Sequence, residues 1–457
     1  MNRADARELI TRVLRMSRAT ETEVTLGGGR MAVTRFANNA IHQNVEETWP
    51  HVSVRVGLRH GKRWQTGRAS TTLLETTNLR AAVDNATVAA RLAQPDPEYV
   101  PMAWPEEAGA WQGDVSRARD AATADSGPAL RAHLAAAVVL PCRRQGLSAA
   151  GQVTVVDGSI GSYGAPGIIA IGNSRGLFQF YDSTSVEMSC TVQHASGATG
   201  WAAASSHTIS DIDAAALGAR AIAKATAGAS PVELPAGRYT VLLEPDAVAD
   251  LLWFLMPQFA RQTFDEGRSV VGDKLGELVF HPRLSIADDV YHPLHLARPF
   301  DGEGMPTQQV ELVRIGIPKG FVYSRKTARR HEVAPTGHGP SQPSGAPASV
   351  RAPVVSGGSG SLDALIAGTE RALLVTRLWY NRFVDFRAAR VTGMTRDGVF
   401  LIEGGRVVSA VRNMRYNVSV VELLGHIDAM GQEVRAGGMV VPPMRITDFE
   451  LTGATTF

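Results

Sequence analysis

Residues 235–255 read PAGRYTVLLEPDAVADLLWFL, and this stretch predicts a buried strand that leads directly into a helix. The strand is residues 239–243, a short apolar run rich in β-forming residues. The pair Glu244-Pro245 then favours a helix start, because proline fits the first helical position and acids are favoured in the first turn. Many enzymes keep their chemistry at such strand-to-helix junctions. The junction offers three carboxylates and no His, Cys or Lys: Glu244, Asp246 and Asp250.

The length and charge of the chain limit the kinds of protein it can be. A chain of 457 residues is too long for one ordinary core, so two domains are expected. Its 46 basic and 44 acidic side chains leave a formal charge of +2, which gives no general electrostatic reason to bind nucleic acid or an anionic membrane. No apolar run approaches the roughly twenty residues that span a bilayer, and the opening MNRADARELI is charged and helix-forming rather than a secretory signal. We therefore expect a cytoplasmic protein.

Cysteine usage is sparse. The chain contains only Cys142 and Cys190, which lie far apart in the sequence. This spacing argues against a disulfide framework and against a cysteine-rich metal site.

In the N-terminal part, the periodicity predicts helices packed on an antiparallel sheet. Residues 4–18 carry apolar side chains at helical spacing, and the strands after them alternate as an antiparallel meander. The three glycines at 27–29 are predicted to form a turn between two of these strands. Residues 72–75 fit a capping box at the start of the next helix, and Asp211 is predicted to cap a later helix over residues 213–227.

The C-terminal part is predicted to consist mostly of β-structure. Residues 362–367 predict a short helix. Residues 391–403 read as two strand pieces joined by a turn at 396–398. The segment 228–237, with its two prolines, is the predicted boundary between domains. We therefore expect an α+β fold of two domains, residues 1–230 and residues 231–457.

A crowded group of oxygen and nitrogen ligands occurs in LSIADDVYHPLHLARPF. Carboxylates and imidazoles this close together can hold zinc or manganese. The competing interpretation is structural, since the acidic pair is predicted to lie at a turn and a proline separates the two His. The four residues are Asp288, Asp289, His292 and His295.

The segment of residues 329–361 is rich in Pro, Ser and Gly. His331 precedes a Glu, but the next His is His338, and Pro335 and Gly337 prevent the single helical face that a zinc-binding H-E-x-x-H needs. A loop of this kind can hold an extended peptide beside a sheet edge, and a plain flexible linker is the alternative. The candidates for peptide contact are His331, Thr336, Gly337 and His338.

Several motifs along the chain occur together in one known family. They are TRFANNAIHQNVEE (34–47), PFDGEG (299–304), TGH (336–338), TGMTRDGVFLIEGG (392–405) and DFELTGATTF (448–457). In these motifs the chain resembles the TldD/PmbA family, once called modulators of DNA gyrase, over nearly its whole length. The near-neutral charge gives no support to a DNA-related role.

The resemblance implies a site at the junction described above. Catalytic members of the family are zinc peptidases with an HExxxH motif there, and they add a cysteine ligand in a metallopeptidase-like C-terminal domain. Glu244, Pro245 and Ala249 stand where the two His and the Glu would be, and no cysteine follows Cys190. The chain therefore resembles the PmbA (TldE) branch without metal ligands, and we expect no catalytic or metal-binding residue in it.

The function implied by this resemblance is that of a helper subunit. It would belong to a heterodimeric zinc metallopeptidase that degrades or processes short or unfolded peptides. The zinc ion is expected in a TldD-like catalytic partner and no cofactor in this chain, and neither nucleic acid nor membrane is expected as a partner. Two alternatives stay open: a homodimeric metal-dependent hydrolase with an atypical site, and a peptide-binding or regulatory protein without catalysis.

Overall fold

The computed structural model describes residues 1–159, 167–295 and 297–454. Its N-terminal part combines helices with antiparallel strands. The helices are α1 (Arg3–Met16), α2 (Thr76–Leu92), α3 (Pro105–Ala108), α4 (Ala121–Ala124), α5 (Pro128–Arg144) and α6 (Ala214–Ala227). The strands are β1 (Glu21–Ala37), β2 (Ala40–His60), β3 (Arg63–Thr71), β4 (Ser148–Ser159), β5 (Ile168–Asn173), β6 (Phe178–Phe180), β7 (Thr184–Gln193) and β8 (Thr199–Ser206).

These strands form one antiparallel sheet in the order β3-β2-β1-β4-β7-β8, with β5 and β6 beside the first part of β1. Helices α1 and α2 cover one half of the sheet, where Leu79 and Val83 join a buried apolar cluster. Helices α5 and α6 cover the other half, where Val138 and Leu217 join a second cluster. The predicted layer of helices on an antiparallel sheet is confirmed.

The glycines at 27–29 do not form the predicted turn, because β1 continues through them from Glu21 to Ala37. A Cβ atom on Gly28 would lie 1.8 Å from the carbonyl oxygen of Trp49 on β2. One on Gly29 would lie 2.3 Å from the carbonyl oxygen of Asp157 on β4. The prediction is wrong because these glycines allow the neighbouring strands to approach closely, at φ values of +103° and +153°, instead of reversing the chain.

The C-terminal part is built mainly of strands, as predicted. The helices are α7 (Pro245–Leu255), α8 (Arg261–Asp265), α9 (Arg325–Arg330), α10 (Leu362–Ala367) and α11 (Val420–Leu423). The strands are β9 (Gly237–Leu243), β10 (Ile286–Asp288), β11 (Val310–Arg314), β12 (Ile317–Pro318), β13 (Pro353–Val355), β14 (Arg371–Asp385), β15 (Arg390–Glu403), β16 (Arg406–Ala410), β17 (Met414–Ser419), β18 (Ile427–Met430), β19 (Val434–Ala436), β20 (Met439–Val441) and β21 (Met444–Ala454). Residues 455–457 of the predicted terminal strand lie outside the described residues. Across the described ranges, no helix combines the length and apolar character needed to cross a bilayer.

The larger C-terminal sheet closes into a barrel. Strand β9 lies between β14 and β21, β21 pairs with β17, β17 pairs with β15, and β15 pairs back with β14. A smaller sheet has the order β12-β11-β10-β13-β20-β19. Helix α7 buries Val248, Leu251 and Leu255 in the cluster shared by both sheets. The apolar face of α7 is thus buried in the interior of the C-terminal part.

The predicted turn at residues 396–398 is also absent, since β15 is continuous from Arg390 to Glu403. Two pairs, Val375 with Val399 and Arg377 with Arg396, leave one extra residue on β15, which makes a bulge. Asp397 is buried, and its Oδ2 accepts a hydrogen bond from Arg377 Nε at 2.6 Å. The prediction is wrong because this ion pair holds the polar residues inside the sheet.

Helix starts follow the predictions in part. Residues 362–367 form α10 with the predicted bounds. Helix α6 begins at Ala214 and its cap is Asp213, whose carboxylate accepts from Ala216 N at 2.9 Å, so the prediction of Asp211 as the cap is wrong. Asp211 instead accepts from Ser206 Oγ at 2.6 Å. The capping box at 72–75 is not formed, because α2 begins at residue 76 without a side-chain cap.

The predicted domain boundary at residues 230/231 falls in the connection between α6 and β9. Within this connection, Val232 N donates to Ala410 O at 2.8 Å, and Arg412 N donates to Val232 O at 3.0 Å. The connection is therefore tied to the barrel before β9 begins. The division into two domains at this point stays a prediction.

Candidate functional site

The central junction forms as predicted: β9 ends at Leu243, and α7 begins at Pro245. Glu244 is the N-cap residue, with an extended backbone, and its N–H donates to Val375 O at 3.0 Å. Proline at the first helical position needs no hydrogen-bond partner, which suits a helix that starts directly at a sheet. The beginning of α7 is therefore held against β14 of the barrel.

The Glu244 side chain is nearly buried, and both of its oxygens are occupied. Its Oε2 lies 2.7 Å from Nζ of Lys224 on α6. Its Oε1 accepts from Oγ1 of Thr376 on β14 at 3.2 Å. This side chain thus joins the last helix of the N-terminal part to the barrel through an ion pair that is largely shielded from water.

One turn along α7, Ala249 does not line the cavity beside this helix. It is buried, and a Cβ atom added to Gly437 would lie 2.6 Å from its own Cβ. Gly437 has a φ of +54° and belongs to the turn between β19 and β20. The turn is thus packed directly against the helix at Ala249, so a larger side chain at this position would need the turn to move.

A cavity of about 490 Å³, which we call the junction cleft, opens between the N-terminal sheet and α7. One wall carries two carboxyl groups of α7. Burial, together with the nearby charges of Asp250 and Glu244, raises the pKa of Asp246 to about 7. Burial raises the pKa of Asp250 to about 6, although the N–H of Leu378 donates to it at 2.9 Å. Both groups therefore change charge near neutral pH.

Three guanidinium groups also line the junction cleft. The Arg377 Cζ atom lies 4.7 Å from the Trp201 ring centroid and 5.2 Å from that of Trp379. Arg435 Nε donates to a serine hydroxyl at 2.8 Å, and burial lowers the pKa of Arg435 to about 10. Arg298 donates to two backbone carbonyls, and burial and a neighbouring arginine lower its pKa. The junction cleft is suited to hold a polar ligand between groups of opposite charge.

Asp246 should make the stability of the protein depend on pH. An unfolded Asp ionises at pH about 4, whereas folded Asp246 keeps its proton up to about pH 7. The contribution of Asp246 to the free energy of unfolding is therefore fully present below pH 4 and is lost as the pH rises through 7. We expect Asp246→Asn to flatten this dependence and to add about 1–2 kcal/mol at pH 8, less than the full shift implies because the side chain is partly exposed. Urea unfolding at pH 5 and pH 8 measures this. Equal pH dependence in both proteins would contradict it.

Two sequence models of one family match the chain. The PmbA/TldA metallopeptidase C-terminal domain matches residues 236–453, and the central domain of the same family matches residues 121–228. The chain belongs to the PmbA/TldD family. Its fold is similar to that of TldE from Thermococcus kodakarensis, with a TM-score of 0.84 over 98% of this chain and 99% of that chain. The identity of 20% makes this a likeness of fold alone.

Curated relatives in sequence match over shorter stretches. Metalloprotease PmbA of Escherichia coli O157:H7 is 23% identical over 297 residues, which are 61% of this chain and 62% of that protein. An uncharacterized protein of Methanocaldococcus jannaschii is 32% identical over 145 residues, which are 31% of this chain and 34% of that protein. The chain therefore spans less than two thirds of the length of either curated relative.

The residues of this PmbA/TldD junction do not fit a zinc ion. Zinc needs about three protein ligands and an open position for water. Pro245 has no donor atom, Ala249 is apolar and packed against a turn, and Glu244 is already bound to Lys224. Both cysteines are buried in the core that α5 covers, and neither lines the junction cleft.

The structure does not gather the four residues of the atypical metal site that the sequence left open into one cluster. Over the described residues, no group of three or more His, Cys, Asp or Glu is placed to hold a metal. Asp289 and His292 each accept from a backbone N–H two residues further on, at 2.9 Å and 3.3 Å. Asp288 faces His338, and His295 is buried, which lowers its pKa to about 3. The structural interpretation of these four residues fits better.

Two of the four predicted peptide-contact residues, Gly337 and His338, are buried. The His338 side chain is buried, with Nε2 3.3 Å from Asp288 Oδ2 and Nδ1 2.9 Å from Thr336 Oγ1. Gly337 has a φ of +70° and packs against a backbone carbonyl. His331 Nε2 lies 2.7 Å from a carboxylate of α8 and is partly exposed. Peptide contact stays a prediction for this loop, in which the His331 and Thr336 side chains are partly exposed.

Proposed function

We propose that this chain is a TldE-like, non-catalytic subunit of a heterodimeric zinc metallopeptidase that degrades or processes short or unfolded peptides. Membership of a metallopeptidase family supports the chemistry, and the TldE-like fold supports the choice of branch. The observation that carries the proposal is the donor chemistry of the junction. Of Glu244, Pro245 and Ala249, only Glu244 has side-chain ligand atoms, and its two oxygens are occupied by Lys224 and Thr376.

The proposed partner is a TldD-like chain that carries HExxxH, the C-terminal cysteine and the zinc ion. In the assembly, this chain would supply the junction cleft as a second polar surface for the peptide, while peptide hydrolysis takes place on the partner. We place the complex in the cytoplasm, which two unpaired and buried cysteines support.

Copurification and metal analysis test this proposal. We expect a TldD-like chain from the same genome, coexpressed with this chain, to elute with it as a complex of equal stoichiometry. Elemental analysis should find about one zinc ion per complex and none in this chain alone. If this chain alone held one zinc ion and cleaved peptides, it would be a homodimeric hydrolase instead. If the two chains did not associate, a peptide-binding or regulatory role would replace the proposal.

A further inference from the structure

A second and larger cavity, of about 1060 Å³, lies on the outer face of the barrel. Its floor is formed by strands β14 and β15 and the start of β17, and its opposite wall by residues 193–199 at the β7–β8 turn. Within the described part of the chain, no Asp or Glu lines it. We call this cavity the basic groove, after its arginines: Arg382, Arg396, Arg412 and Arg415.

The strand register places the groove residues on one face. Trp379 pairs with Met394, and Met394 pairs with Arg415, so these three side chains lie on the same side of adjacent strands. Arg396 follows Met394 by two residues, and Arg382 pairs with the residue two before Met394, so both share that side. The alternate residues are buried inside the barrel: Leu378, Thr395 and Tyr416.

A distortion of β14 adds exposed aromatic surface to the groove. The register shifts between Trp379 and Arg382, and Tyr380 has a φ of +56°, which is uncommon for an aromatic residue. Asn381 stabilises the distortion, because its Oδ1 accepts from the Tyr416 hydroxyl at 2.7 Å. The Trp379 and Tyr380 side chains are 38% and 60% exposed, so the groove offers apolar contact beside its charges.

The positive charge of the groove is only partly balanced. Arg412 Nε lies 3.2 Å from a Glu233 oxygen, and both side chains are exposed. Arg396 lies 3.9 Å from Asp397, whose carboxylate is held more closely by Arg377 outside the groove. Arg382 and Arg415 form no ion pair with the described residues. A chain with a formal charge of only +2 therefore concentrates uncompensated cations on one surface.

We propose that the basic groove binds an acidic segment of a peptide, with the carboxylates on the arginines and apolar side chains against the parts of Trp379 and Tyr380 that stay exposed beside those arginines. Guanidinium groups bind carboxylates through paired hydrogen bonds, and the exposed aromatic rings suit a ligand that is both acidic and apolar. Trp379 also lines the junction cleft, so a peptide in the groove would lie beside that cleft. The binding needs neither a partner subunit nor a metal ion.

A nucleic acid fits the same surface less well. Sequence-tolerant binding of single strands uses aromatic rings with a free face for base stacking. The Trp379 ring already has two guanidinium groups over it, those of Arg377 at 5.2 Å and Arg396 at 5.1 Å from its centroid. The groove is therefore better matched to carboxylates than to bases.

Fluorescence anisotropy with the purified chain alone tests the proposal. The probe is a short fluorescein-labelled peptide in which Glu alternates with Leu, and its control is the same peptide with Gln in place of Glu. We expect the Glu peptide to bind, to weaken as salt rises, and to bind about tenfold or more tightly than the Gln peptide. Changing Arg382→Gln and Arg415→Gln together should weaken the Glu peptide by about tenfold or more.

The matched control removes the same charge elsewhere. Arg80→Gln and Arg91→Gln change two exposed arginines of α2, far from the groove in the N-terminal part, and should leave binding within about twofold. Equal binding of both peptides, or an equal loss in both double variants, would overturn the proposal. Displacement of the peptide by lower concentrations of single-stranded DNA would assign the groove to nucleic acid instead. Should the groove variant misfold by circular dichroism, the wild-type comparison of the two peptides decides.

Discussion

The kcat for peptide hydrolysis by the complex of this chain with its TldD-like partner is expected to fall about a thousandfold when the Glu of the partner's HExxxH motif is changed to Gln. The same change at Glu244 of this chain, Glu244→Gln, should alter kcat by less than about twofold. The physical reason is that Glu244 holds Lys224 and Thr376 and has no free oxygen to offer a reacting group. Steady-state rates of both variant complexes, measured with one fluorogenic peptide, test this division of roles.

The comparison requires complexes that are equally assembled. Gln keeps the shape of Glu244 and can still accept from Thr376, so the variant should remain folded at the assay temperature. Size-exclusion chromatography of each complex provides the control. A loss of kcat on Glu244→Gln comparable to that of the partner's variant would mean that this chain contributes to the chemistry, and the helper role would be wrong.

Replacing Lys224 by Met should cost about 3 kcal/mol of unfolding free energy at pH 7.5, because it leaves the nearly buried Glu244 carboxylate without its cation. Lys224 also favours the ionised form of Asp246, so its loss leaves the carboxylates at the start of α7 facing one another. The cost should be smaller at pH 5, where Asp246, with its raised pKa of about 7, is protonated. Urea unfolding at both pH values measures the difference.

Two further variants separate the ion pair from general effects. The double variant Lys224→Met with Glu244→Gln should recover most of the loss, since no unpaired charge then remains buried. Arg238 pairs with Asp448 on the surface, and Arg238→Met should cost less than about 1 kcal/mol. If Lys224→Met cost no more than the surface variant, the ion pair would not stabilise the junction between the two parts.

The elements that the sequence predicted well have strong local signals. The junction at residues 239–255 combines an apolar run, an acid and a proline within a few positions, and each favours the same structure. Residues 362–367 carry a serine cap directly before an apolar helical pattern, and α10 has the predicted bounds. In both segments the local preferences agree with one another, and the tertiary contacts of the folded protein favour the same structure.

The predicted turns failed for the opposite reason. The glycines at 27–29 and the segment 396–398 have typical turn composition, yet both lie within continuous strands. In the first, the backbones of β2 and β4 leave no space for a Cβ atom, and in the second, Arg377 holds Asp397 inside the sheet. None of these partners is near in sequence, so local composition alone could not distinguish a turn from a continuous strand.

The candidate site was predicted only at its centre. Glu244, Pro245 and Ala249 could be placed by resemblance, because they lie in one contiguous motif. The residues that give the site its character were missed, since they come from separate strands and helices: Trp201, Lys224, Arg298, Arg377, Trp379, Arg435 and Gly437. The basic groove depends on the pairing of residues 379, 394 and 415, and strand register is not readable from a single sequence.

The long strand β1 has a consequence for local unfolding of the N-terminal part. Its first half, with Val24 and Leu26, belongs to the apolar cluster under α1 and α2. Its second half, with Phe36, belongs to the cluster under α5 and α6. Separate sheets would allow one helix layer to melt while the other persisted. Because a single backbone ladder runs beneath both layers, local opening in either one strains the other, and the two should exchange their amide hydrogens as one cooperative unit.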